Sequence, residues 1–370
     1  MLADISIPTP QEQLKFLKQI QQILQSGSFT STYKFALLIS LARLAIEQGK
    51  DTGEPLALDY LDIAEKFIDL YWWQVRPYDF NQQESFVLQQ SNGPQASIVN
   101  LVLSAQQHFK TLAAARQDSV YWLKLKKQVA VVIRKMPVVY LQNLNGQSIE
   151  FLYHLEESRN HLNLLPKVMY CLRQFGEIIE ELCQKRWVDF VRENKKNLPV
   201  LDGLPDLNAF LFAPNRNQLR KVADFLIDLQ QCRCFYCNKP LKNEKFAVDH
   251  FIPWSLYSAD TGHNFVLADN TCNSQKSNFL ASENYLQQWL ERNYKHDSLI
   301  TTELAKQGFL TDIKRSHHVA SWAYQQAIDN NYLLWEGGKN TRFASGLELG
   351  HITGSDHHPA ALFTTGNLNS

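Results

Sequence analysis

The sequence predicts a mainly α protein: a helical N-terminal domain, then a small domain of two strands and a helix, then a helical C-terminal extension. Three observations predict it. Apolar residues recur at three- and four-residue spacing through the first two hundred positions. A cysteine-rich segment starting at Cys232 breaks that period into short strand-like runs, and helical spacing returns from about Phe279. The expected domains are 1–200, 205–292 and 293–345, with a flexible tail over 346–370.

Among the early elements, Ser28 to Ile46 reads as a helix that Ser28 or Thr30 can cap and Gly49 stops, with Leu37, Leu38, Leu41 and Leu44 as its buried stripe. A second helix is expected after Pro55, carrying Leu58, Leu61, Ile63, Phe67 and Ile68 towards Trp72 and Trp73, and closed by Pro77. The longest runs from about Pro166 to Asn194. Its basic end, with Lys185, Arg186, Arg192, Lys195 and Lys196, is read first as a solvated terminus favoured by the helix dipole. The segment LPVLDGLPDL, Leu198 to Leu207, is the expected boundary. Beyond it come a helix over Asn215 to Gln230, the cysteine-rich segment, a helix near Ser316 to Asp329 and a short strand from Tyr332 to Trp335.

At 370 residues, 45% hydrophobic and 20% charged, the chain has the composition of a folded globular protein. Lys plus Arg and Asp plus Glu both number 37, so the overall charge carries no nucleic-acid signal and an electropositive surface must be local. The N-terminus has no basic stretch followed by an apolar run, and no segment offers about 18 uninterrupted apolar residues. A cytoplasmic location is therefore expected. In a reducing compartment the cluster Cys232, Cys234, Cys237 and Cys272 suggests metal before disulfide.

The informative segment is CRCFYCNKPLKNEKFAVDHFIPWSLYSADTGHNFVLADNTCNSQKSNFLA, Cys232 to Ala281. Phe246 to Val248 is expected as a strand ending on Asp249 and His250, Asn264 to Ala268 as a second, and Asn270 to Leu280 as a helix. Hydrolysis of a phosphodiester needs an activated water and a Lewis acid for the phosphate charge. Asp249 and Asn273 are hard oxygen donors of the kind that suits Mg²⁺ or Mn²⁺. His250, adjacent to Asp249 and so projecting to the other side of the strand, suits a general base near neutral pH. Asn264 can brace the catalytic loop, and Lys276, one turn beyond Asn273, is placed to meet the scissile phosphate or its neighbour.

The segment resembles the ββα-metal core of HNH endonucleases: Asp249-His250 matches the Asp-His pair, Asn264 the central asparagine and Asn273 the closing position. The resemblance implies a metal-ligand role for Asp249 and Asn273, a base role for His250 and an organising role for Asn264. Many members hold a structural Zn²⁺ between two Cys-x-x-Cys pairs. Here the first pair is Cys234 and Cys237, whereas the second is Asp269-x-x-Cys272, so Asp269 or Cys232 is the expected fourth ligand. The wider text, with SGSFTSTYKFALL, VDHFIPWSLY and ENYLQQWLER, is similar to stand-alone bacterial HNH proteins with a long helical N-terminal region, some from phage-defence loci.

The expected partner is nucleic acid, with DNA preferred to RNA, nicked one strand at a time. A protein partner or a homodimer through the N-terminal helices would help deliver it. Two other readings compete: a zinc-stabilised binding module without catalysis, and a docking scaffold whose nuclease works only in a complex. His263 is expected as a solvent-facing loop residue, with a contact to the phosphate or leaving group as the alternative, and Trp254 is expected to pack beneath its loop rather than stack on a base or sugar.

Overall fold

The computed structural model describes residues 6–78, 86–144, 146–155, 158, 160–201, 206–212, 216–241, 245–345 and 347. The chain forms two compact units, Met1–Ala213 and Pro214–Ser370. Among the described residues no helix is long and apolar enough to cross a membrane.

In the first unit, α1 (Pro10–Ser26), α2 (Tyr33–Gln48), β1 (Leu56–Asp59) and α3 (Tyr60–Gln74) are followed by α4 (Ser97–His108), α5 (Leu112–Gln117), α6 (Ser119–Lys135) and α7 (Pro137–Tyr140). The short strands β2 (Asn143–Leu144), β3 (Gln147–Ser148) and β4 (His161–Leu164) come next, then α8 (Val168–Gln174), α9 (Gly176–Glu193), α10 (Leu198–Leu201) and α11 (Leu207–Phe212). Thr9 and Glu12 form a reciprocal capping box at the start of α1, with Pro10 in its first turn. All but one residue of α2 is buried, because α3, α8 and α9 pack around it. Arg173 on α8 stops it at the far end, donating Nη1 to the carbonyls of Ala45, Ile46 and Gly49 while its fork grips Asp51. Trp187, fully buried on α9, donates Nε1 to Gln90 Oε1 at 2.7 Å, which satisfies the polar tip of the largest core side chain.

Three sequence expectations shift here. Neither Ser28 nor Thr30 caps α2. Ser31 bridges to Ser91, Thr32 N–H bonds the Gln90 carbonyl, and the Thr32 hydroxyl lies 2.6 Å from Tyr71 Oη, so the helix starts at Tyr33 without a side-chain cap. Leu58 sits on a strand, because Leu56–Asp59 pairs antiparallel with His161–Leu164, a partner about a hundred residues away that local spacing cannot reveal. The long helix of 166–194 is two helices broken at Phe175 (φ −117°, ψ 15°). The break lets α9 approach α2 closely, since a Cβ on Gly176 would lie 3.0 Å from Ile46 Cδ1.

The second unit runs α12 (Arg216–Leu229), β5 (Phe246–His250), a short 3-10 turn (Gly262–Asn264), β6 (Phe265–Asp269), α13 (Asn270–Lys276), β7 (Leu280–Ala281), α14 (Glu283–Gln307), α15 (Ile313–Asp329), β8 (Leu333–Gly337) and β9 (Asn340–Phe343). β5 and β6 pair antiparallel, with Asp249 opposite Val266 and His250 opposite Phe265. The following helix, expected to reach Leu280, ends at Lys276, where Ser277 adopts φ 48°. Leu280 and Ala281 then pair parallel with β8, making a three-stranded sheet with β9, and the helix expected from about Phe279 resumes at Glu283. The boundary expected at 292/293 falls inside α14. That helix is tied to the ββα core by Trp289, stacked on Phe251 at 5.0 Å, and by Arg292, which donates to the carbonyls of Phe265 and His263. The expected tail, 346–370, lies outside the described residues except for Leu347.

Candidate active site

The site is built on one strand pair and the helix that follows it. Gln230, just past α12, tiles the outer edge of β6: its amide accepts from Leu267 N–H at 2.8 Å and donates to the Leu267 carbonyl at 2.9 Å. Phe235 N–H bonds the same carbonyl, so the Cys234–Cys237 turn is docked on the strand that carries the site.

Alternation along β5 sends Asp249 and His250 to different surroundings. Asp249 Oδ2 accepts from Tyr236 Oη at 2.5 Å and pairs with Lys276 Nζ at 3.2 Å. Its Oδ1 has no hydrogen bond to a described residue. His250 Nε2 lies 2.7 Å from Asp260 Oδ1, and the ring is flanked by Trp254 and Phe265 with centroids 5.2 and 5.1 Å away. With Nε2–H held by a carboxylate, the proton-accepting nitrogen is Nδ1.

Asn264 is buried and closes a two-bond clamp, accepting from Ile252 N–H at 2.7 Å and donating to the Ile252 carbonyl at 2.9 Å. The clamp ties the two ends of the loop between β5 and β6. Asn273, half-buried on α13, has no side-chain hydrogen bond to a described residue. Asp249 and Asn273 thus offer two hard oxygens not used up by the fold, which fits a divalent ion of the Mg²⁺ class.

Lys276 is not where the sequence expectation put it. Its ammonium is buried, donating to the His250 carbonyl at 3.0 Å and facing Asp249, so it braces the strand end from within rather than presenting its charge to solvent. Burial lowers its pKa, and Asp249 opposes that shift. The Tyr236 hydroxyl is held far above its ordinary range by burial and by Asp249. His263 is also drawn inward: Nε2 lies 2.8 Å from Asp297 Oδ1 on α14, and burial lowers the imidazole pKa despite that carboxylate. It is therefore fully buried and not the solvent-facing loop residue expected.

A second cluster lies beside the first. The sulfurs of Cys234, Cys237 and Cys272 fall within 4.8 Å of one another, two from the turn and one from the first turn of α13. Asn238, at φ 56°, closes the turn, its N–H bonding the Cys234 carbonyl, and Asp269 N–H points at Cys234 Sγ at 3.2 Å. Three converging thiols of this kind fit Zn²⁺. Neither expected fourth ligand joins them. Asp269 caps α13, its Oδ1 accepting from Thr271 N–H at 2.8 Å, and the Cys232 thiol is directed at the Leu241 carbonyl. A side chain one residue ahead of a helix meets the helix's own unpaired N–H groups first.

Two residues at the site escaped the sequence reading. Nothing in the spacing of Tyr236 marks it as a partner of Asp249. Asp260 had a signal: it is the only carboxylate between Phe251 and His263.

Comparison with known families bears on both units. The model of a domain of unknown function (DUF8808) matches residues 13–202, and the HNH endonuclease model matches residues 232–279. No curated protein and no solved structure matches the chain. The chain belongs to the DUF8808 family and carries, C-terminal to that domain, an HNH endonuclease domain of the kind that acts on nucleic acid with a metal.

Proposed function

We propose that the chain is a divalent-metal-dependent endonuclease that nicks DNA at the β5–β6–α13 centre. The observation that carries the reading is the separation of duties on adjacent residues: His250 is fixed by Asp260, while Asp249 is fixed independently by Tyr236 and Lys276.

Asp260 holds the imidazole in the tautomer with the proton on Nε2, which leaves Nδ1 to take a proton from the attacking water. As His250 becomes cationic, the same carboxylate stabilises the charge. Asp249 and Asn273 would hold the ion, with Lys276 and Tyr236 keeping the carboxylate in place. The bound ion would supply Lewis-acid stabilisation of the phosphate charge. Asn264 keeps the loop bearing Asp260 at its distance from β5. The three cysteines would hold Zn²⁺ as a fold-stabilising centre distinct from the catalytic ion. One centre of this kind cuts one strand, and the sequence resemblance to stand-alone bacterial HNH proteins, some from phage-defence loci, supports a role as a defence effector.

The test is cleavage of supercoiled plasmid with Mg²⁺ or Mn²⁺. The wild type should convert it to the open circular form, and His250→Ala should lower the rate by a factor of about 100 or more. Equal cutting by both proteins, or zinc-dependent DNA binding without cutting under either ion, overturns the reading.

A further inference from the structure

A cavity of about 400 Å³ opens in the N-terminal unit, walled by the segment leading into α2, by α7 and by the β2–β3 hairpin. Its size lies within the range of small-molecule sites. Lys34 lines it and is 8% exposed, yet its ammonium meets no carboxylate and no hydrogen-bond acceptor among the described residues. Its nearest compensation is the Phe29 ring, 5.3 Å from Nζ. Burial alone lowers the lysine pKa. The ammonium is thus partly desolvated with no counter-charge among the described residues, which costs some stability.

The start of α2 meets the same cavity. This sixteen-residue helix has no side-chain cap, because Thr32 is turned to Tyr71, and the N–H groups of Tyr33, Lys34 and Phe35 have no acceptor among the described residues. Unpaired N–H groups and the positive end of the helix dipole therefore add to the lysine charge. The hydroxyls of Ser28, Thr30 and Ser31 line the cavity and bond no described residue. Met136 and Tyr140, 47% and 49% exposed, supply an apolar wall.

We propose that this cavity binds a small organic phosphate, its phosphate at Lys34 and the start of α2 and its ring-bearing body against Met136 and Tyr140. The inference concerns the N-terminal unit and stands whether or not the nuclease reading holds.

Thermal unfolding of the full chain, titrated with adenosine 5′-monophosphate, inorganic phosphate and adenosine, tests it. The nucleotide should give a saturable rise of about 2 °C or more, larger than that from phosphate, with adenosine weakest. Lys34→Met should abolish the response to both phosphate compounds while raising the melting temperature of the ligand-free protein, which shows that the variant folds. Tyr140→Ala, at an exposed position, should weaken the nucleotide response and leave that of phosphate unchanged. A wild type with no saturable response to either phosphate compound overturns the proposal. So does a Lys34→Met protein that responds like the wild type, or a nucleotide response no larger than that of phosphate.

Discussion

Lys276 changes what a substitution at the centre is expected to do. The lysine is buried and Asp249, half-buried, is the carboxylate that faces its ammonium, while Asp249 also holds a hydrogen bond from Tyr236. Removing the carboxylate strands the buried ammonium, at a cost of about 3 to 5 kcal/mol in comparable buried pairs, whereas removing the lysine leaves Asp249 its Tyr236 hydrogen bond. Lys276→Met should therefore lower unfolding free energy by about 1 to 3 kcal/mol in urea titration, and slow cleavage by releasing Asp249. A stability unchanged from the wild type would return Lys276 to the role of a surface phosphate contact. Asp249→Asn should destabilise in the same direction, so inactivity of that variant counts against Asp249 only after its folding is checked.

At the scale of elements, the ββα unit works because each junction is capped or clamped within a few residues. Asp269 ends β6 and caps α13, and α13 brings Cys272 to Cys234 and Cys237 while presenting Asn273. The cap and the thiols should be separable. Asp269→Ala should cost about 1 kcal/mol by losing the bond to Thr271 N–H, yet leave bound zinc unchanged in metal analysis of the purified protein. Cys272→Ser should lower the zinc content. Loss of zinc in Asp269→Ala would restore the aspartate as a ligand.

On the scale of the whole molecule, the last strands belong to the nuclease unit. Trp335 on β8 is 1% exposed, with its ring 5.1 Å from Tyr236 and 5.4 Å from Tyr285, and Leu334 pairs with Leu280. Tyr236 in turn holds Asp249. Ending the chain at Asn331 should therefore unfold the C-terminal unit and abolish cleavage, while limited proteolysis still leaves a resistant fragment close to residues 1–213. A truncated protein that cuts at the wild-type rate would show that β8 and β9 are dispensable.

The sequence by itself determined the mainly helical class, the order of strand, strand and helix after Cys232, and the adjacency of Asp249 and His250. These features rest on short-range periodicity, helix stops such as Gly49, and spacing within about fifty residues. Only the tertiary structure decided the pairing of Leu56–Asp59 with His161–Leu164, the break at Phe175, and the sheet that joins Leu280 to Leu334. Their partners lie far along the chain, and a two- or four-residue strand has too little local preference to announce itself. At the centre the same divide holds. The residue types were readable, but whether Lys276 and His263 face solvent or the core depends on which carboxylate the folded chain places beside each. Asp260 and Tyr236 acquire their places from the packing of the loop and the cysteine turn against the strand pair, which no spacing along the chain encodes.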